Sequence, residues 1–138
     1  MAKNTGTIKL AGWNKLPIMK GLINDKEAYF IMDSGASISV MNLNDAEEFG
    51  FRVEETEDGA AAGYGGTANF QKAAAITIKT QDKIELWVPE FKAQDLSKIV
   101  GVIENNEGFK INGILGFDLM KRYSFILNFK DNTINFTY

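Results

Sequence analysis

The chain has 138 residues, 45% of them hydrophobic, which suits one compact domain over 1–138 with a sizeable core. Its 15 Lys and Arg against 18 Asp and Glu give a net charge of −3 with no basic run, so nothing points to nucleic acid as a partner. Cys and His are both absent, which removes disulfides, Cys/His zinc sites and any Ser-His-Asp or Cys-His catalysis within the chain; proton chemistry must come from Asp, Glu, Lys or Tyr.

Short apolar runs separated by Gly, Asn and Asp predict a mainly β chain. A first strand is expected at Thr7 to Leu10 and a second at Leu16 to Ile23, followed by a turn at Asn24-Asp25-Lys26. Ala28 to Met32 is apolar without alternation, the pattern of a strand covered on both faces, and it ends at Asp33. Ile38 to Met41 reads as a short strand. Asn42 is then positioned to cap a helix whose early turns carry Asp45, Glu47 and Glu48 and which stops at Gly50. Phe51 to Glu54 returns to strand. The glycine-rich stretch Gly59 to Gly66, with Gly63, Gly65 and Gly66 around Tyr64, reads as a mobile hairpin tip.

Beyond it, Phe70 to Lys79 and Ile84 to Val88 are expected strands around Gln81-Asp82-Lys83, with Pro89 marking an edge. Asp95 can cap a second helix, on which Leu96, Ile99, Val100 and Ile103 share a face. Ile111 to Gly116 predicts a buried strand and Phe117 to Arg122 a short helix with Asp118 as its cap. Phe125 to Phe129 and Thr133 to Tyr138 form a closing hairpin around Asp131-Asn132. No apolar run is long enough to span a membrane, and Met1 to Gly6 lacks the apolar centre of a signal peptide; the compartment stays open, cytoplasmic at face value.

One segment carries chemistry. An apolar strand, Phe30-Ile31-Met32, delivers the carboxylate of Asp33 into surroundings its neighbours keep dry, where a lone acid is costly unless partnered. Ser34 supplies a hydroxyl, Gly35 lets a backbone N–H approach the carboxylate, and Ala36 keeps the loop uncrowded. Taken alone, Asp33 also reads as an ordinary turn residue at a strand end, and Gly63-Tyr64-Gly65-Gly66 as an ordinary hairpin.

Asp33-Ser34-Gly35-Ala36-Ser37 after this strand resembles the active-site loop of the aspartic proteases, and Ile114-Leu115-Gly116 resembles the apolar-apolar-Gly segment that packs beside it. The glycine-rich stretch between them stands where such proteases carry a flap. With a single motif, the chain is similar to the retropepsin-like, single-lobed group. The resemblance implies an acid-protease-like closed β-barrel of one lobe with one to three short helices. It also implies a homodimer, a peptide or protein substrate lying extended under the flap, and no metal or cofactor. Two Asp33 carboxyls about 3 Å apart would share one proton and activate water between them. Retroviral members place acids just after the loop and an Arg after the apolar-apolar-Gly; here Ser37, Ile38 and Phe117 stand there, so that ion pair is missing. The terminal strand, Thr133 to Tyr138, reads either as an internal sheet edge or as part of the dimer interface, and the same resemblance favours the interface. Two other readings use the same residues: a catalytically silent dimer that grips a peptide, and a sugar hydrolase pairing Asp33 with Asp118 or Glu85.

Overall fold

The structure is a computed structural model that describes residues 3–12, 16–50, 53–63, 66–73 and 75–138. Its first three strands, β1 (Thr5–Gly12), β2 (Ile18–Ile23) and β3 (Lys26–Met32), pair antiparallel in succession. Asn24 and Asp25 make the β2–β3 turn with φ of 49° and 65°, the left-handed geometry that a two-residue hairpin demands and that Asn and Asp tolerate best. β4 (Val40–Asn42) runs into a 3-10 turn at Leu43–Asp45. A long hairpin follows, β5 (Val53–Gly63) and β6 (Gly66–Ala73), with Gly63 opposite Gly66. Then come β7 (Ile76–Lys79), β8 (Glu85–Val88), β9 (Lys92–Gln94) and α1 (Ser97–Glu107). The chain ends with β10 (Gly113–Leu115), α2 (Phe117–Arg122), β11 (Ile126–Asn128) and β12 (Thr133–Thr137).

The described strands join one curled sheet in the order β11-β12-β1-β2-β3-β10-β4-β9-β6-β5, with β7 branching from β2 and β8 from β7. The sheet is mostly antiparallel. The exceptions are β10 against β3 and β9 against β4, and both flank the segment that carries Asp33.

β3 explains why its sequence shows no polar face. Ala28, Phe30 and Met32 enter the larger core with Met19, Phe91, Leu115 and Phe136, while Tyr29 and Ile31 pack on a second cluster beneath α1. The second cluster is Ile18, Val40, Leu96, Val100, Ile103 and Ile111. A strand sandwiched by two clusters is held against sliding, because moving it by one residue would exchange its two faces. Asp33 leaves the end of that strand. No helix among the described residues is long and apolar enough to cross a membrane.

Several local expectations are corrected. Asn42 caps nothing: no side-chain bond reaches the 3-10 turn's own N–H groups, and Asn42 is buried in a polar network described below. Gly59 to Ala62 belong to strand β5 rather than to the tip, with Ala60, Ala61 and Ala62 opposite Asn69, Ala68 and Thr67. The predicted strand from Phe70 to Lys79 breaks between Ala73 and Ile76, where the chain leaves β5 and β9 for β2 and β8. Ile99 does not share the buried face of α1; it is 43% exposed, while Val100 and Ile103 are buried. The closing hairpin forms as expected: β12 is hydrogen-bonded to β1 along Thr133–Thr137 and to β11 along Thr133–Asn135.

Candidate active site

The segment 33–39 is held by the stretch 115–118. The ladder of β3 and β10 continues one residue past the strand, with the Asp33 N–H donating to the Leu115 carbonyl at 2.9 Å. Within the loop, the Ala36 N–H closes a turn on the Asp33 carbonyl at 3.1 Å. The Gly35 N–H donates to Asp33 Oδ1 at 2.9 Å, the close backbone approach expected of that glycine. Further on, the Phe117 N–H donates to the Ala36 carbonyl at 2.7 Å.

Gly116 is required by this contact. A Cβ there would stand 2.6 Å from the Ala36 oxygen and 2.7 Å from the Ile38 oxygen. Gly113 is equally confined, with the Val40 oxygen 2.5 Å from where its Cβ would be. Ile114 packs toward the α1 cluster and Leu115 toward the larger core, so this segment is wedged as tightly as β3 beside it.

Asp33 itself is half-buried, and Ser34 and Gly35 are exposed. Among the described residues, Gly35 supplies the hydrogen bond to its carboxyl, through one oxygen. The carboxyl is thus aimed by the backbone and left open toward solvent. No group of three or more acids that could hold a metal ion occurs among the described residues.

Asp118 is not a helix cap. The N-terminus of α2 begins at Gly116 without a side-chain cap, and both Asp118 oxygens turn to Ser39 instead: Oδ1 accepts from the Ser39 hydroxyl at 2.8 Å and Oδ2 from its N–H at 3.2 Å. Ser39 is fully buried, and its hydroxyl also accepts from the Gly116 N–H at 3.0 Å. Ser37 is exposed, Ile38 half-buried, and Phe117 is 51% exposed, so the missing ion pair has no substitute at those positions. Glu85 lies on β8 and lines a shallow hollow with Leu22, Asn24, Asp25, Thr77 and Lys79, a set without Asp33.

A second polar cluster escaped the sequence reading. Asp45 is 4% exposed, and its Oδ2 accepts from the amides of Asn42 at 3.3 Å and Asn112 at 3.1 Å. Lys110 Nζ stands 3.8 Å from Oδ1. The two amide oxygens bind the backbone: Asn42 Oδ1 accepts from the Leu96 N–H and Asn112 Oδ1 from the Tyr29 N–H. The cluster ties β3, β4, β10 and the start of α1 together. Of the flap residues, Gly63 and Gly66 close the β5–β6 ladder, and Tyr64 and Gly65 lie outside the described residues.

This arrangement, an apolar strand ending in an acid and a parallel neighbour ending in glycine, is that of an acid-protease lobe. The retropepsin-like aspartic protease from Rickettsia conorii matches it with a TM-score of 0.59 and 18% identity, over 99% of this chain and 94% of that one. The EIAV protease, solved with the inhibitor HBY-793, matches at 0.57 and 21% identity, over 79% of this chain and 88% of that one. The retroviral protease-like domain of Ddi1 from Leishmania major matches at 0.56 and 16%, over 89% and 94%. The fold is therefore the single-lobed, retropepsin-like one. No curated protein matches the chain. The family model described as aspartyl protease matches residues 19–119, a span that holds both Asp33 and Gly116, and the chain belongs to that family.

Proposed function

We propose that the protein is an aspartic endopeptidase, active as a homodimer in which each chain supplies one Asp33. The observation that carries this reading is the state of that carboxyl. It is aimed by Gly35 and Leu115 through backbone bonds, half-exposed, and met by a single donor among the described residues. Two-fold symmetry is the simplest way to give it a partner, because an isologous interface brings a residue near the axis against its own copy.

Two carboxyls so placed cannot both ionise comfortably, so they hold one proton between them. The ionised member takes a proton from a bound water. The protonated member donates to the scissile carbonyl oxygen as the water oxygen attacks the carbon. The resulting tetrahedral diol collapses to a carboxylic acid and an amine, with no covalent link to the enzyme. An extended peptide suits this site. β5 ends the path of the sheet, and the β5–β6 hairpin, whose last described pair is Gly63 and Gly66, is the element that closes over a strand-like substrate and excludes water.

The dimer contact is expected around the terminal strand β12 and the hairpin it forms with β11. The exposed apolar side chains beside the site and on the last hairpin, Phe117, Ile126 and Phe129, are the natural contacts for the second copy.

The test is hydrolysis of mixed extended peptides from acid to neutral pH, together with the mass in solution. Cleavage by a species of twice the chain mass, lost in Asp33→Asn with the dimer intact, supports the reading. A strictly monomeric protein, or a dimer that binds peptide without turnover, overturns it, the latter in favour of a silent peptide-binding module.

A further inference from the structure

Building on Asp33 as the catalytic acid, we propose that Asp118, acting through Ser39, is the positioning residue that fixes the catalytic loop in its working geometry. The loop is tied to 115–118 at its start by the Asp33 N–H on Leu115, at its middle by the Phe117 N–H on Ala36, and at its end by Ser39. The first two ties are backbone bonds. The third is made by side chains, and it locks both partners at once. The Ser39 hydroxyl donates to Asp118 Oδ1 and accepts from the Gly116 N–H, so its one proton and its acceptor role are both committed in a fully buried place.

The chemistry selects a carboxylate. Ser39 presents two donors, its N–H and its hydroxyl, and Asp118 answers each with a separate oxygen. An asparagine could answer one; its NH₂ would face the other donor, leaving a buried N–H or O–H without a partner. The residues 37, 38 and 117, where an ion pair could have joined the loop to α2, are Ser, Ile and Phe. The Ser39–Asp118 bonds supply that junction one residue further along each segment. With both oxygens engaged, Asp118 has no role as a second acid on substrate.

A loop that drifts by a fraction of an ångström spoils the alignment of two carboxyls and a water more than it spoils substrate binding along the strands. The isosteric variant Asp118→Asn and the hydroxyl deletion Ser39→Ala, made in the dimer, are therefore expected to lower kcat on a cleaved peptide by about 10- to 100-fold with KM changed by less than about threefold. The double variant should be no worse than the poorer single one, because both remove the same junction. Amide hydrogen exchange should quicken at Ser39, Gly116 and residues 33–38, and stay as in the parent protein across β2 and β3.

Ser39→Ala serves if Asp118→Asn does not fold. Should the parent protein cleave no peptide, the catalytic reading fails on that result, and exchange alone decides the positioning role. Unchanged exchange in the loop, quickened exchange that extends through the core strands, an unchanged kcat, or losses that multiply in the double variant would each overturn the proposal.

Discussion

Asp33 and Asp45 stand at opposite ends of one design. Asp45 is 4% exposed and receives two asparagine amides on one oxygen, with Lys110 near the other. Asp33 is half-exposed and is met by the Gly35 N–H alone among the described residues. Both follow short strands of the same sheet, and both flank β10. A buried carboxylate supplied with donors is fixed in place and has nothing left to give to a reaction. A carboxylate held by one backbone bond is aimed without being satisfied, and that leaves it free to meet water, substrate or its own copy. On the proposed function, the count of donors among the described residues, more than the residue type, separates the structural acid from the reactive one.

The comparison breaks most sharply at Asp33. Asp33→Asn keeps the shape and the Gly35 bond but cannot share a proton, so peptide hydrolysis should fall by roughly 1,000-fold or more, while thermal unfolding barely moves. A large loss of stability in that variant would place Asp33 with the structural acids. Asp45→Ala should do the reverse. It strands the Asn42 and Asn112 amides in the core, and with about 1–3 kcal/mol for each unsatisfied donor the loss of stability should be about 3 kcal/mol. Urea titration measures it, and kcat at a temperature where the variant is folded should stay near the parent value.

Gly116→Ala lies between the two regions. Its methyl would press on the Ala36 and Ile38 oxygens, and both belong to backbone that cannot swing aside as a side chain could. A stability loss of about 2 kcal/mol is expected, together with reduced hydrolysis, because the displaced atoms are those of the loop itself. Full activity in this variant would mean that the loop tolerates displacement, and the contrast between fixed and aimed acids would lose its basis.

The Asp33 side of this contrast was legible in the sequence and the Asp45 side was not. Ala28 to Met32 announces a doubly covered strand by its lack of polar residues, and Asp33-Ser34-Gly35 follows where such a strand must end. Ile114-Leu115-Gly116 and the helix Phe117 to Arg122 are legible for the same local reason. Asn42, Asp45 and Asn112 gave no such signal. An asparagine ahead of acidic residues reads as a helix start, and the bond that buries Asp45 comes from 67 residues away. Ser39 sits inside an apolar run, Ile38-Ser39-Val40-Met41, and that lone hydroxyl was the available hint; its partner Asp118 is 79 residues distant. Ile99 was misassigned because positions 96, 99, 100 and 103 fit one broad helical stripe, and α1 turns only part of that stripe to the core.

The smallest expected effect is at a third acid, exposed and partnered, which tests whether donors alone can make a carboxylate structural. Asp95 Oδ1 accepts from the N–H of Ser97 at 3.0 Å and from the Ser97 hydroxyl, just ahead of α1. The hydroxyl first, and then the backbone N–H, hold its pKa below the usual carboxylate value. A pKa lower in the folded chain than in the unfolded one means that folding favours the ionised form. The stabilisation is therefore fully present above the unfolded value of about 3.9 and is lost as pH falls through the folded value beneath it. Asp95→Asn should be slightly less stable than the parent protein at neutral pH, with the difference closing only below about pH 3.9. Thermal unfolding of the two proteins across that range measures the gap, and using the difference cancels the acid sensitivity of every other carboxylate they share. A gap that stays constant to the acid limit would mean that the Ser97 bonds stabilise α1 without regard to charge, and that donor count describes burial at Asp45 rather than a rule for acids on this fold.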